Sequence, residues 1–292
     1  HPGQFWIYTA ANDRWRKVGD VRPQIDATSM ARKDFTRITA RDGLEIPVWI
    51  TTPPGPRKPR PAVLLVHGGP WVRGGHWQWE PYGQFLASRG YVVIEPEFRG
   101  STGYGWLHFR AGWKQWGLSM QDDVADALAW AIKAGHVDAS RVCIAGASYG
   151  GYATLMGLVR HPELYRCGVA WAAVTDPRLM LRWIHGTDQS DEVRAFDLPT
   201  LVGDPVRDAA QLEATSPVAQ APRIRAPLLL AIGGRDARVL PVHGHQLRDA
   251  LEAAGRPPTW IEYPDEGHGW FQPQNRADFA RRLEAFLAEH LR

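Results

Sequence analysis

The sequence predicts an α/β protein whose mostly parallel central sheet carries helices on both faces. From Pro61 onward, short and almost continuously apolar runs alternate with amphipathic segments of helical period. Apolar runs of this kind are typical of parallel strands that are buried on both faces, and their alternation with helices is typical of strand–helix–strand units. With 292 residues, 44% of them hydrophobic, the chain can also bury the core of one large domain.

The segment before this alternation predicts antiparallel strands. The stretch FWIYTAANDRWRKVG alternates apolar and polar residues on both sides of Asn12 and Asp13, which indicates a hairpin over residues 5–18. Residues 20–34 show no clear periodicity and are interpreted as a connector. Two further strands are expected in residues 35–53, around a turn at Asp42 and Gly43. We therefore divide the chain into an N-terminal hairpin and connector, residues 1–34, and a main domain, residues 35–292.

Within the main domain, each remaining strand is expected at an apolar run. These runs are AVLLVHG, YVVIEPEF, RVCIAGA, CGVAWAAVTD, PLLLAIGG and TWIEYP. The clearest helix is SMQDDVADALAWAIKAG, with Ser119 as its expected N-terminal cap. The last segment, RADFARRLEAFLAEHL, places Phe279, Leu283, Phe286 and Leu287 on one face, so a helix is expected to close the domain.

Composition argues against several classes of partner and cofactor. The 34 basic residues are scattered among 31 acidic ones without a like-charged block, so no nucleic-acid partner is expected. No apolar run approaches the roughly 18 to 20 residues of a membrane helix, and no signal-peptide pattern opens the chain. The protein is therefore expected to be soluble, cytoplasmic or periplasmic, and the sequence does not distinguish the two compartments. Neither a metal nor an organic cofactor is expected, because no metal-ligand spacing and no phosphate-binding glycine motif is present.

The two cysteines predict no disulfide framework. Cys143 and Cys167 each lie in an apolar, strand-like run. Two buried free thiols are favoured over a bridge, since unpaired cysteine is among the most buried residue types.

The stretch GASYGGY, residues 146–152, indicates a nucleophilic serine. Ser148 lies between glycines at the point where an apolar strand turns into a helix, which is the pattern of a nucleophile elbow. Glycines also punctuate ordinary strand-to-helix turns, so the motif requires partners elsewhere. Asp236 in GGRDARV and His268 in EGHGW each follow another expected strand, and active residues of open α/β sheets gather at the carboxyl ends of strands. The order Ser, Asp, His is that of an α/β-hydrolase triad, in which the imidazole takes the serine proton and the aspartate holds the imidazole.

A triad also requires amide donors for the developing oxyanion. The amide of Tyr149, directly after the serine, is the first candidate. The loop VHGGPW, residues 66–71, is the second, with Gly69 favoured over Gly68 because glycine lets a backbone approach the substrate. The alternative is that these glycines only make a tight turn.

Taken together, these motifs resemble the catalytic domain of the prolyl oligopeptidase family of serine peptidases. HGGP, FRGSTGYG, MQDDVADAL, GASYGGY, GRDARV and EGHGW occur in this order, and the chain is most similar to acylaminoacyl-peptidase and dipeptidyl-peptidase-like bacterial members. The resemblance covers about residues 35–292. It implies an α/β-hydrolase fold, Ser148 as nucleophile with Asp236 and His268, and an oxyanion site formed by Tyr149 and the HGGP loop.

Family members also carry an N-terminal β-propeller that screens substrates by size. A blade needs about 40 residues and a propeller at least four blades, so only the hairpin of residues 5–18 could be a remnant. We expect either a catalytic domain from a longer protein, with a missing N-terminal propeller, or a natural form that lacks this filter.

The expected function is that of a serine hydrolase acting through an acyl-enzyme on short peptides or N-acylated aminoacyl substrates. A carboxylesterase acting on small or aromatic esters is the alternative, and a non-catalytic interaction domain on the same scaffold is a third interpretation. Small peptides or esters are the expected partners, and the sequence leaves a homo-oligomer open.

Five further residues are candidates for substrate binding. Arg99 could bind a substrate carboxylate or brace the loops around the site, and bracing is favoured. Trp71, Trp106, Tyr152 and Trp270 could line an acyl pocket, with core packing as the alternative for each.

Overall fold

The described strands form an N-terminal hairpin and one large sheet. A computed structural model describes residues 2–56, 58–185 and 197–291. The hairpin consists of β1 (Gln4–Thr9) and β2 (Arg14–Asp20). The sheet contains β3 (Arg32–Thr39), β4 (Glu45–Thr52), β5 (Arg60–Val66), β6 (Val92–Pro96), β7 (Val137–Ala147), β8 (Cys167–Trp171), β9 (Leu228–Gly233) and β10 (Thr259–Tyr263).

The strand order of the sheet is β10-β9-β8-β7-β5-β6-β4-β3. Strands β5 to β10 run parallel to one another, whereas β4 runs against both of its neighbours. The carboxyl ends of β5, β7, β8 and β9 therefore meet at one edge, and their loops can form a single site there.

Helices cover both faces of the sheet. They are α1 (Pro81–Ser88), α2 (Trp106–Arg110), α3 (Ser119–Lys133), α4 (Tyr149–Arg160), α5 (Pro177–His185), α6 (Leu198–Leu201), α7 (Ala209–Ala214), α8 (Pro241–Ala253) and α9 (Pro273–His290), with short 3-10 helices at Ala27–Ser29 and Ala221–Arg223. One core cluster packs α3, α4 and α8 on one face, and a second packs α1 and α9 on the other. The predicted apolar face of α9 is confirmed, because Phe279, Leu283, Phe286 and Leu287 are buried.

The predicted strands and helices are confirmed, but some boundaries differ. Strand β3 begins at Arg32, inside the predicted connector of residues 20–34, so the predicted division at residues 34 and 35 falls within this strand. Strand β7 begins at Val137, four residues before its apolar run, and β8 ends at Trp171 although its run continues. It ends because Ala172 takes a left-handed conformation, with φ of 47°. The expected cap at Ser119 is wrong: Ser119 is the first helical residue, and Leu118 occupies the cap position without a side-chain hydrogen bond.

Both cysteines are buried free thiols, as predicted. Cys143 and Cys167 are register partners on the neighbouring strands β7 and β8. Burial raises the pKa of the Cys143 thiol well above its ordinary value. The Cys143 thiol is therefore held in the un-ionised form, which is not nucleophilic.

The hairpin exposes large apolar side chains, in contrast to the sheet. Phe5 is 62% exposed and Trp15 is 65% exposed. Tyr8 packs on Trp15 across the two strands, with ring centroids 4.9 Å apart. A two-stranded ribbon with this much apolar surface buries too little to be stable by itself.

The described part of the chain holds neither a membrane-spanning helix nor a metal-binding cluster. None of its helices combines the length and the apolar character that a bilayer crossing requires. Its His, Cys, Asp and Glu side chains also form no group of three or more that could ligate a metal ion.

Candidate active site

Ser148 lies on a sharp turn between β7 and α4. Its φ of 58° and ψ of −120° are strained for a residue with a side chain. Its N–H donates to the carbonyl of Trp171 at 3.0 Å, which ties the turn to the end of β8. Helix α4 starts so close to β5 that a Cβ on Gly150 would lie 2.0 Å from the Val66 carbonyl oxygen. The second glycine of the motif is therefore required by the packing of helix against strand, and the turn has the form of a nucleophile elbow.

Asp236 and His268 form a hydrogen-bonded pair beyond the ends of β9 and β10. His268 Nδ1 lies 2.7 Å from Asp236 Oδ2. The other carboxylate oxygen accepts the backbone N–H groups of Arg238 at 2.8 Å and Val239 at 2.9 Å. Asp236 is 3% exposed, so its orientation is set by these three donors. Because an ionised carboxylate only accepts, Nδ1 carries the ring proton and Nε2 keeps its lone pair.

A second buried carboxylate holds the loop that carries His268. Glu266 is 2% exposed and accepts the backbone N–H groups of Phe271 and Gln272, both at 2.9 Å, and the Asn275 side-chain amide at 2.8 Å. Burial by itself would raise the pKa of Glu266, but these donors outweigh it and keep the pKa below its ordinary value. Glu266 was not predicted from the sequence, since only its hydrogen-bond partners reveal this function.

The candidate oxyanion donors lie beside the elbow. Tyr149 is the first residue of α4, and N–H groups in the first turn of a helix lack an intrahelical acceptor. Gly69 has a φ of 114°, which favours glycine. A Cβ on Gly68 would lie 3.5 Å from the Ser148 Cβ. The HGGP loop therefore runs directly against the elbow.

These residues share one cavity of about 440 Å³. Ser148, His268, Tyr149, Gly68 and Gly69 all line it. Its remaining wall is mainly apolar, made by Trp71, Val72, Trp116, Val174, Met180, Leu198 and Val239. The cavity thus joins a hydroxyl, an imidazole and a helix N-terminus to a pocket that suits an apolar group.

The predicted pocket residue Trp71 does line the cavity. Its ring lies 6.0 Å from that of Trp116, which in turn lies 4.7 Å from the ring of Tyr149. Arg238 also lines the cavity. Arg238 was not predicted as a site residue, although its position two residues after Asp236 in GRDARV was a signal.

For Arg99, the structure corrects the assignment to substrate binding. Its guanidinium donates to both carboxylate oxygens of Asp123, at 2.8 and 2.7 Å, and to Asp42 at 2.7 Å. Arg99 is 6% exposed. Two carboxylates therefore occupy its donors, and it braces the loop after β6, the alternative that the sequence favoured.

The other three aromatic candidates lie outside this cavity. Tyr152 is fully buried, and its hydroxyl donates to the carbonyl of Thr215 at 2.9 Å. Trp270 is 7% exposed and packs on Phe279 in the core beneath α9. Trp106 is 59% exposed on α2, where it meets other aromatic rings. For Tyr152 and Trp270 the core-packing alternative holds, whereas Trp106 is a surface residue.

Comparison with known proteins agrees with this geometry. The sequence profile of the prolyl oligopeptidase family matches residues 77–292. Dipeptidyl aminopeptidase BIII of Pseudoxanthomonas mexicana is 35% identical over 305 residues, which cover 99% of this chain and 43% of that protein. A solved structure of puromycin hydrolase has a TM-score of 0.84 and 26% identity, over 97% of this chain and 43% of its own. A puromycin-hydrolyzing peptidase of Mycobacterium tuberculosis has a TM-score of 0.87 and 23% identity, over 99% of this chain and 44% of its own.

Both the predicted fold and the predicted family are confirmed. The solved structures have the same chain trace over nearly all of this chain, so the fold is that of an α/β hydrolase. The chain spans less than half the length of these relatives. Because the family profile matches well over half of the sequence, the chain belongs to the prolyl oligopeptidase family.

Proposed function

We propose that this chain is the catalytic unit of a serine peptidase that cleaves short peptides or N-acylated aminoacyl substrates through an acyl-enzyme at Ser148. The observation that carries the proposal is the 2.7 Å pairing of His268 Nδ1 with Asp236 at the wall of the cavity that Ser148 also lines. Similarity to dipeptidyl aminopeptidase BIII and to puromycin hydrolase supports an amide substrate.

In this mechanism His268 moves the proton and Asp236 holds the ring. The Ser148 hydroxyl attacks the substrate carbonyl carbon and gives its proton to Nε2 of His268. The new imidazolium is stabilised by the Asp236 carboxylate. When the carbon–nitrogen bond breaks, the same proton passes to the departing amine. Water then attacks the acyl-enzyme by the same route, and Ser148 regains its proton.

The amides of Tyr149 and Gly69 would stabilise the oxyanion that forms in each step. Tyr149 offers the N-terminus of α4, where the helix dipole also favours negative charge. By mutational precedent one such donor contributes roughly 3 to 4 kcal/mol to transition-state stabilisation.

The apolar wall of the cavity supports a preference for an apolar or aromatic side chain on the acyl group. Trp71, Trp116 and Val239 present ring and aliphatic surface to it. Burying one such side chain stabilises a complex by about 1.5 to 3 kcal/mol. The same wall would accept the acyl group of an ester, so a carboxylesterase is the second candidate.

The exposed apolar surface of the hairpin supports the presence of a further domain in the whole protein. The matched relatives are more than twice as long as this chain, and Phe5 and Trp15 offer apolar surface for more β-structure. We infer that the hairpin packs on a further domain, for which the resemblance implies a propeller. A longer polypeptide carrying that domain should bind less of a hydrophobic dye than the chain described above; equal dye binding per mole would contradict the inference.

A fluorophosphonate probe and matched substrates test the catalytic proposal. The probe should modify Ser148, and Ser148→Ala should lose turnover by about 10³-fold or more. Ser140→Ala, which alters the opposite end of the same strand, is the control and should behave as wild type. Labelling at another residue, or none, would contradict the proposal.

The two candidate functions are separated by the leaving group. Wild-type protein is assayed with a dipeptidyl 4-nitroanilide, an N-acetyl-aminoacyl 4-nitroanilide, puromycin and the matching 4-nitrophenyl ester. Turnover of an anilide or of puromycin that depends on Ser148 supports the peptidase. Ester turnover without measurable amide turnover favours the carboxylesterase.

A further inference from the structure

The buried carboxylate of Glu97 accepts hydrogen bonds from the oxyanion loop. We define the oxyanion loop as residues 67–75, which follow β5. Glu97, just after β6, is 1% exposed. It accepts the backbone N–H of Gly74 at 3.0 Å, and a shorter hydrogen bond from the backbone N–H of Gly75. Both of its oxygens therefore bind the far end of this loop.

The same carboxylate faces His67 at the near end of the loop. Glu97 Oε2 lies 3.7 Å from His67 Nε2, and that nitrogen also meets the Ser101 hydroxyl at 3.0 Å. The ring stacks on Phe98, with centroids 4.3 Å apart. Burial lowers the pKa of His67, so the ring stays neutral.

His67 in turn determines the direction of one candidate oxyanion donor, the Gly69 N–H. Its Nδ1 lies 2.7 Å from the Gly68 carbonyl oxygen. Since a carbonyl only accepts, Nδ1 carries the proton and Nε2 accepts from Ser101. The Gly68 carbonyl and the Gly69 N–H belong to one planar trans peptide unit and point in opposite directions. Holding that carbonyl therefore directs the Gly69 N–H away from His67.

We propose that Glu97 is a positioning residue for the oxyanion hole: it holds the oxyanion loop at Gly74 and Gly75, and thereby fixes His67 and the direction of the Gly69 N–H. Gly74 transmits this effect to His67, since it lies so close to the ring that a Cβ on Gly74 would be 2.2 Å from His67 Cδ2. This inference rests on the proposed function, because it assigns an oxyanion site. Glu97 itself does not touch the reacting atoms.

Whether neutralising Glu97 slows or speeds the reaction distinguishes a loss of alignment from a loss of charge. A negative charge near a developing oxyanion opposes it. If only the charge of Glu97 mattered, its removal would speed the reaction. A slower reaction after neutral substitution therefore reports a loss of alignment.

The test is Glu97→Gln, which keeps the shape but sets an amide donor against one of the two loop N–H groups. We expect kcat to fall about 10- to 100-fold with KM within a factor of two, because alignment matters most in the transition state. The control is Glu95→Gln, which neutralises a carboxylate two residues earlier that pairs with Lys33 at 3.0 Å. Its kcat should stay within a factor of two of wild type.

The difference in affinity between two inhibitors is a measurement that a purely structural role of Glu97 would leave unchanged. A peptide aldehyde forms a tetrahedral adduct with Ser148, whereas the corresponding alcohol binds without one. In Glu97→Gln the inhibition constant of the aldehyde should rise by the same factor by which kcat falls. The inhibition constant of the alcohol should not change. Equal weakening of both inhibitors, or unchanged kcat, overturns the proposal.

The remaining outcomes are also decisive. If Glu97→Gln does not fold, Glu97→Asp is measured in the same way; failure of both to fold assigns Glu97 a structural role and overturns the proposal. Wild-type protein without Ser148-dependent turnover would instead refute the proposed function.

Discussion

Acidification from pH 7 to pH 4.5 is expected to remove about 2 kcal/mol of folding stability through one buried imidazole, that of His243. This residue lies in the first turn of α8 and is 3% exposed. Its Nδ1 accepts the backbone N–H of Thr175 at 3.2 Å, so the neutral ring carries its proton on Nε2. Burial lowers the pKa of His243 to about 4, although the charges of Asp176 and Asp236 oppose this shift.

The sign follows from which state binds the proton. An unfolded histidine has a pKa of about 6.5. Between that value and about 4, the unfolded chain binds a proton that the folded protein does not, so stability falls as the pH falls through this window. A difference of about 2.5 pKa units corresponds to about 1 kcal/mol lost by pH 5.5 and about 2 kcal/mol by pH 4.5.

The measurement is the free energy of unfolding in urea at pH 7, 5.5 and 4.5. Asparagine in His243→Asn keeps an acceptor toward Thr175 but does not titrate. The stability of this variant should therefore fall by about 2 kcal/mol less than that of wild type over the range. His245→Asn removes an imidazole that is 38% exposed on the same helix, and it should retain the full decline. An equally steep decline in His243→Asn would refute the reasoning.

Three further substitutions separate packing from chemistry. Gly150→Ala should destabilise the fold by about 3 kcal/mol or more, because the new Cβ would lie 2.0 Å from the Val66 carbonyl oxygen; a circular-dichroism melt within a few degrees of wild type would contradict this. Gly69→Ala should lower kcat about 10-fold or more and also lower the melting temperature by several degrees, because alanine disfavours the φ of 114° beside the serine and its Cβ would lie 2.8 Å from a Val72 methyl group; unchanged kcat would remove Gly69 from the oxyanion site. Tyr152→Phe should lose about 1 to 2 kcal/mol of stability with unchanged kcat, since it loses only the hydrogen bond to Thr215; a marked rise in KM would return Tyr152 to the substrate pocket.

Local hydrophobic patterns were sufficient to place the strands and the helices α3, α4 and α9, whereas the other helices were not predicted individually. Each predicted run became a strand because continuous apolar residues can be buried only between two layers of helices. Boundaries were less predictable. The end of β8 depends on the left-handed turn at Ala172, which an apolar run cannot reveal. The start of β7 at Val137 depends on pairing with Arg60 of β5.

The functional candidates divide in the same way. Ser148, Asp236 and His268 could be proposed from sequence because each follows a strand, and parallel strands bring their carboxyl ends together. The surroundings of a side chain were not readable in this way. Tyr152 is one helical turn from Ser148, yet its ring points into the core. Arg99 lies in a family motif, yet its guanidinium forms ion pairs with Asp123 and Asp42 instead of binding substrate.

The sequence by itself determined the α/β class, the order of the strand ends and the serine turn, because these depend on local alternation of apolar residues and on short glycine motifs. Only the tertiary structure decided which side chains share the cavity with Ser148, and that the buried carboxylates of Glu97 and Glu266 hold the loops around it. The physical reason is that burial and hydrogen bonding in this site join residues from separate loops, and a buried charge is recognised by its partners rather than by its neighbours in sequence.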